Sequence, residues 1–323
     1  MKLLNLSYHQ KAKFKSKTIE VFSIIVRLLA LYAISFTILY PLIFMAVSAL
    51  RDRQDLYNPS VIWITRNFTL DNIKYIFEFM NYPSTLTRTL LISFFCGIFQ
   101  VASCAFVGYG FARYKFKGKN ILFILVIFTL IIPIQSYITP LYLNFRNFNI
   151  PIISQFINIF IDGKGTLNLI NNPAAFWVQS ICAMDIRSGL FIFIFRQFFT
   201  NMPRELDDAG SIDGCGHFGV YFRIMLPNAV SAMTTVFIFS FVWHWNDFFT
   251  TSVLSTNANT LATTLSSLRE TIFRAEGPDA SDLLLQQVRI QAGALLCILP
   301  LIIVFIIMQR YITESVEKTG IVG

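Results

Sequence analysis

The chain has 323 residues, of which 55% are hydrophobic and only 14% charged, with 34 phenylalanines and a formal net charge of +8. Soluble domains carry about a quarter charged residues, so the composition excludes an ordinary soluble fold and leaves room for several membrane spans of about 20 residues. The excess positive charge lies beside apolar runs, where it reads as an orientation signal and not as a nucleic-acid surface.

A basic tail, 1–21, opens the chain with Lys2, Lys11, Lys13, Lys15 and Lys17 against Glu20. The apolar run behind it is too long for a secretory h-region and no small-residue cleavage site follows, so it is expected to remain as a span. Six runs are long enough to cross a bilayer: 22–49, 86–112, 121–143, 174–199, 229–254 and 290–311. Backbone groups in lipid need internal partners, and these runs are far longer than the roughly 9–11 residues of a barrel strand. The expected class is an all-α integral membrane protein with six transmembrane helices. The turn after the second run holds Arg113, Lys115, Lys117 and Lys119 without an acid. With the basic tail, it puts the amino terminus, the loop 200–228 and the carboxyl-terminal tail 312–323 on the cytoplasmic side.

The outer segments, 51–85, 144–172 and 255–287, are modest. Pro59, Pro83, the tip Asp162-Gly163-Lys164-Gly165 and the pair Gly277-Pro278 interrupt them. None is large enough for a folded ligand-binding domain, so a soluble receptor would be another chain; the role of 144–172 stays open. Cys96, Cys104, Cys182, Cys215 and Cys297 show no C-x-x-C spacing, and His9, His217 and His244 form no ligand pair in sequence. No metal site, catalytic residue or phosphate-binding loop is expected, and no cofactor is assigned to this chain.

Between the fourth and fifth runs lies a short acidic helix signal, Pro203-Arg204-Glu205-Leu206-Asp207-Asp208-Ala209-Gly210-Ser211-Ile212-Asp213-Gly214, closed by Ile224-Met225-Leu226-Pro227. Pro203 suits a first helical position, and Glu205, Asp207 and Asp208 favour the positive end of the helix dipole. Leu206, Ala209 and Gly210 share a face by their spacing, where small residues admit another surface. Gly214 and Gly216 stop the helix, and Leu226-Pro227 redirects the chain. A solvated amphipathic connector is the plainer reading of the same residues.

This segment resembles the cytoplasmic "EAA" loop of ATP-binding-cassette importer permeases, roughly E-A-A-x-x-D-G followed by I-x-L-P. Asp208 stands for the usual Glu and Gly210 for the second Ala; Ser231 occupies the place of a frequent second Pro. Gly108-Tyr109-Gly110-Phe111-Ala112-Arg113-Tyr114, Trp245-Asn246-Asp247-Phe248 and Gln309-Arg310-Tyr311 with Gly320 and Gly323 extend the likeness over about 86–323, towards the maltose-type carbohydrate branch. The resemblance implies the type I importer permease fold, with a permease core at 86–311 and a cytoplasmic coupling helix. By it, Glu205, Asp208, Ala209, Gly210, Asp213, Gly214 and Pro227 couple to the ATPase. It also implies a second permease subunit forming a heterodimer, two ATPase subunits that bind ATP and Mg, an external solute-binding protein, and a place in the bacterial cytoplasmic membrane. The expected cargo is a sugar or oligosaccharide; a peptide or other solute, or a self-contained secondary transporter, are the rivals.

Charges inside spans are costly and face a cavity or a partner. Asp185 and Arg187 in the fourth run, and Trp243, Trp245, Asn246 and Asp247 in the fifth, are the candidates for a substrate pathway, because sugars take aromatic faces together with amides and carboxylates. Interfacial anchoring of the tryptophans and pairing of Asp247 with Arg187 are the alternatives. Gln100, Gln135 and Gln179 suit inter-helix hydrogen bonds or pore lining equally.

Overall fold

The computed structural model describes residues 8–58, 60, 64–149, 167–256, 259–277 and 282–320. Pro59, the tip at 162–165, Pro278 and Gly323 lie outside them. Among the described residues there is no strand; two isolated bridges join Arg51 with Phe68 and Phe148 with Leu167. The chain is helical, as expected.

The helices in order are α1 (Tyr8–Ala49), α2 (Arg53–Leu56), α3 (Asp71–Phe79), α4 (Tyr82–Arg113), α5 (Lys119–Phe128), α6 (Ile138–Arg146), α7 (Ala174–Ile181), α8 (Ser188–Asn201), α9 (Glu205–Ile212), α10 (His217–Val220), α11 (Leu226–Asn228), α12 (Val230–Trp245), α13 (Phe249–Leu254), α14 (Leu261–Glu276) and α15 (Leu283–Gly320). Single helices long and apolar enough to cross a membrane run over Ile19–Ala49, Tyr82–Arg113 and Leu283–Gln309. The first of these has 31 residues, about 46 Å of helix, and its apolar side chains such as Phe22 and Tyr32 are exposed, as lipid contact requires.

The other three runs are broken, which the expected six continuous helices did not foresee. The run 121–143 splits into α5, a 3-10 turn at Ile134–Ser136 and α6. Pro133, which has no N–H to donate, stands at the entry to that turn. The run 174–199 splits between α7 and α8, where Ala183 and Arg187 adopt φ of 54° and 59°. The run 229–254 splits between α12 and α13, and at its start α12 forms with the preceding His217–Asn228 segment a pair bent by 75°.

The chain separates into two compact units. One comprises residues 1–75 and 282–295. Buried Asp55 organises its loop, accepting from the amides of Arg66 and Asn67, each at 2.8 Å. Asn72 donates to the carbonyls of Ala49 and Arg51, closing α1 onto α3. Tyr57 donates to Asp282 at 2.5 Å, and the Arg289 guanidinium lies 3.9 Å from the Tyr75 ring centroid.

The other unit comprises residues 76–281 and 296–323. Here α4 is the central post, packed against α7, α8 and α12. Its larger core joins Cys104, Ala105 and Tyr109 of α4 to Phe191, Ile192, Phe195 and Phe199 of α8 and to Tyr221, Met225, Ala232 and Val236. A smaller core gathers Ile92, Cys96, Phe145, Ala175, Phe176 and Leu254. The Trp245 indole N–H donates to the Cys297 carbonyl at 3.2 Å, and the Tyr82 hydroxyl to that of Leu296 at 2.9 Å.

Candidate functional site

The acidic loop forms a short helix. α9 covers Glu205–Ile212 with Glu205, Asp207 and Asp208 in its first turn. Pro203 stands one residue before the N-cap Arg204, not at the first helical position. At the other end the Asp213 amide donates to Ala209, and that of Cys215 reaches back to Gly210 at 2.9 Å. Gly214 carries φ of +78° with open space around it. That backbone region costs an L side chain about 1–2 kcal/mol, so the end of the helix explains this glycine.

The small-residue face divides in two. Ala209 is exposed, but Gly210 is buried. A Cβ at Gly210 would stand 2.5 Å from Ile224 Cδ1 and 3.1 Å from Val220 Cγ2. Gly210 therefore seats α9 on its own chain, with Leu206 packed at the edge of the larger core; it does not face outward as its spacing with Ala209 suggested. The outward surface is Glu205, Asp208, Ala209, Ile212, Asp213 and Gly214. Ile212, 86% exposed, is its apolar centre.

Three residues tie this helix to α4. Arg113 Nε lies 3.2 Å from Asp207 Oδ2, with the Arg113 side chain only 8% exposed. Arg113 also donates to the carbonyls of Met202 at 3.0 Å and Pro203 at 3.4 Å. Tyr109, one turn earlier, donates to Asp207 at 3.4 Å and meets the Tyr221 ring at 4.9 Å and the Phe199 ring at 5.4 Å. The chain then passes through a π turn, Tyr221–Met225, into α11. Pro227 lacks the amide that would continue the regular ladder; it is exposed, and the Asn228 side chain donates to the Ile224 carbonyl at 2.7 Å. The bend follows. Side chains thus join α9 to α4 and, through Tyr109, to Phe199 of α8 and to Tyr221.

The second constellation is a buried polar centre where α7 gives way to α8. Asp185 and His244 are bonded Oδ2 to Nε2 at 2.8 Å, each with a side chain 1% exposed. Asp185 also accepts a short bond from the Ser180 hydroxyl and one from the Ile186 amide at 2.7 Å. Gln100 donates to the Ile186 carbonyl at 2.8 Å and to Ser188 at 2.9 Å, and accepts from Ser240 at 2.5 Å. The His244 Nδ1 faces the Ser240 carbonyl at 2.7 Å. Ligand atoms of Cys96, Asp185 and His244 lie within 4.8 Å of one another, but the carboxylate and imidazole already satisfy each other.

The remaining pathway candidates separate. Trp245 is buried at 3% exposure with its N–H engaged. Asp247 accepts from the amides of Thr250 at 3.2 Å and Thr251 at 3.0 Å, capping α13. Arg187 is exposed, its guanidinium 5.8 Å from the Trp243 ring centroid, and the exposed Asn246 donates its side-chain amide to the Val242 carbonyl at 2.9 Å. Tyr137 stands close enough to Asp185, Arg187 and Asp247 to feel their charges.

The sequence profile of the binding-protein-dependent transport system inner membrane component matches residues 105–318. The chain belongs to that family. It is 29% identical over 293 residues to the arabinooligosaccharides transport system permease protein AraQ of Halalkalibacterium halodurans, covering 90% of this chain and 93% of that one. It is 26% identical to the maltodextrin transport system permease protein MdxG of Bacillus subtilis, covering 91% and 95%. Among solved structures it resembles a chain of a bacterial ABC transporter that imports the acidic polysaccharide alginate, with a TM-score of 0.70 at 15% identity, covering 91% and 97%. The family read from the loop and its companion motifs is thereby established, and with it a multi-pass membrane transport subunit.

The sequence placed Asp207 only in the acidic first turn and assigned the coupling role to Asp208; the contacts of Asp207 with Tyr109 and Arg113 were not read. Their four-residue spacing, one face of a helix, was the available signal. His244 was likewise missed. Its distance of 59 positions from Asp185 left no local pattern to read.

Proposed function

We propose that this chain is one of two membrane subunits of an ATP-driven importer in the bacterial cytoplasmic membrane. Six spans, three of them broken, carry both termini and α9 on the cytoplasmic side, as the basic tail and the basic turn at 113–119 favour. A solute-binding protein delivers cargo outside, and two ATPase subunits bind ATP and Mg inside. The observation that carries the reading is the two-sided build of α9. Its inner face is held to α4 by the Asp207–Arg113 pair and to Val220 and Ile224 by Gly210, while Asp208, Ala209 and Ile212 face outward. Such a helix suits a groove on a motor subunit, and closure of the ATPase pair on ATP would then tilt α4, α8 and α12 together. Hydrolysis resets the pathway between this chain and a second, different permease.

Carbohydrate is the cargo we favour. The relatives handle arabinooligosaccharides and maltodextrin, and the exposed Arg187 beside the half-buried Trp243 ring combines hydrogen-bonding groups with a ring face. Asp185, Trp245 and Asp247 serve better as framework. The alginate importer and the sn-glycerol-3-phosphate permease of Yersinia pestis, 23% identical, carry acidic solutes, and Arg187 suits an acidic saccharide as well as a neutral one.

The test joins a cysteine cross-link to an uptake assay. Ile212→Cys in the assembled transporter should cross-link at short range to an ATPase subunit, and labelled oligosaccharide should enter proteoliposomes only with ATP. A cross-link from the outer face only, or none to an ATPase, removes the coupling role. Uptake of peptides but not saccharides removes the cargo.

A further inference from the structure

The turn between α4 and α5 and the inner end of α8 gather cations that the coupling surface does not use. Lys115, Phe116, Gly118, Lys119, Asn120 and Ile121 line an open depression of about 390 Å³. The Lys119 ammonium donates to the Tyr114 carbonyl at 3.0 Å and lies within reach of the charges of Arg196, Arg204 and Lys115, all of its own sign. Arg196 rests 4.0 Å from the Phe123 ring centroid, and its Nε is buried without a hydrogen-bond partner. Among the described residues no ion pair involves Lys115, Lys119, Arg196 or Arg204.

Like charges held together repel, and an anion between them removes the cost. The rim of the depression says which anion. Phe116 is 44% exposed and Ile121 67%, so the cations adjoin apolar surface that a free phosphate leaves uncovered and an acyl chain covers. Basic pockets at helix ends on the cytoplasmic side suit acidic headgroups for this reason. We propose that this depression binds the headgroup of an anionic phospholipid of the inner leaflet, joining the α4–α5 turn to the α8–α9 junction. Arg204 is the N-cap residue of α9 and is exposed. The inference rests on the cytoplasmic placement of the basic turn given above. Its consequence is that coupling depends on acidic lipid.

The experiment reconstitutes the complete transporter in nanodiscs of phosphatidylcholine with or without phosphatidylglycerol, and reads retained lipid by native mass spectrometry together with transport-linked ATP hydrolysis. The wild type should retain phosphatidylglycerol, and the triple variant K115Q/K119Q/R204Q should lose on the order of a hundredfold in preference for it. A variant losing equal charge elsewhere, K11Q/K13Q/K15Q in the tail, should keep that preference. Unchanged retention in the first variant overturns the site, and so does equal loss in both, which would mean surface charge alone. Inorganic phosphate added to phosphatidylcholine discs should not restore hydrolysis; full restoration would overturn the lipid in favour of a free anion. The Ile212→Cys cross-link is measured in the same discs. A persistent cross-link with no lipid preference sinks this inference alone, and a missing cross-link in the transporter carrying only Ile212→Cys sinks the coupling reading instead.

Discussion

Replacing Asp207 with alanine should uncouple the transporter without taking it apart. The substitution removes the Arg113–Asp207 pair at 3.2 Å and the Tyr109 contact at 3.4 Å. Exposed ion pairs contribute up to about 1 kcal/mol, whereas stripping one partner from a fully buried pair costs about 3–5 kcal/mol. With side chains 8% and 25% exposed, this pair falls between, at about 2 kcal/mol, or a thirtyfold shift in how firmly α9 is docked on α4. The helix itself survives, because Gly210 still packs under Ile224 and Arg113 still holds the carbonyls of Met202 and Pro203. The outward face is untouched, so ATPase association should persist. Solute transported per ATP hydrolysed should fall about two- to tenfold. Purified complexes in proteoliposomes allow both rates to be measured on one sample. An unchanged ratio in Asp207→Ala, or loss of the ATPase subunits themselves, would refute the argument that this face transmits motion and the other face binds.

The buried Asp185–His244 pair should behave as one unit: His244→Ala and Asp185→Ala each destabilise the detergent-solubilised protein by about 3 kcal/mol or more, while the double variant costs less than their sum by about 1.5–3 kcal/mol. Strict additivity of thermal unfolding would show that the two side chains act independently. At Gly214, transport should fall in the order Asn, Ala, Val, because Asn tolerates a positive φ and a β-branched residue does not; equal activity of the valine variant in an uptake assay would remove the backbone argument. The Asp282 carboxyl is held below the usual carboxylate range, chiefly by the hydrogen bond from Tyr57. A depressed folded pKa gives stability that is present above the unfolded value and lost as pH falls through the folded one. Tyr57→Phe should therefore lower thermal stability near neutral pH, and its difference from wild type should vanish in acid; a constant difference across the range would contradict this.

Much of the architecture was legible because lipid permits so few backbone solutions. The 22–49 and 86–112 runs each became one helix, the first despite Pro41 in its interior. The coupling helix was legible for a different reason: an acidic first turn and a glycine terminator are local signals, and α9 ends where Asp213-Gly214 said it should. The breaks were not read, although Pro133 and Pro140 stood in plain view inside the third run. At Ala183 and Arg187 the backbone turns left-handed with no glycine or proline to announce it. Hydrophobic periodicity cannot report such a turn, because what stabilises it comes from α4 and α12, far away in sequence. The same limit hid the burial of Gly210, which depends on Val220 and Ile224 folding back over α9.

The polar residues inside the apolar runs take their meaning from those breaks. A helix interrupted in lipid leaves amides and carbonyls that water does not reach, each costing several kcal/mol if unpaired. At the α7–α8 break the Ile186 amide is taken by Asp185, its carbonyl by Gln100, and the Ser180 carbonyl by Ser103 at 2.6 Å. At the α12–α13 break Asp247 takes the amides of Thr250 and Thr251. At the end of α5 the Thr129 hydroxyl takes the Val126 carbonyl at 2.6 Å. A buried carboxylate or glutamine in such a chain is therefore explained first by the backbone beside it, and only the remainder is free to meet a solute. Applied here, that remainder is Arg187 and Trp243, since the Asn246 side chain donates to the Val242 carbonyl at 2.9 Å where α12 ends. Because the fasteners Gln100, Asp185 and His244 sit on α4, on the break itself and on α12, the helices that α9 would tilt are also those that hold the break shut.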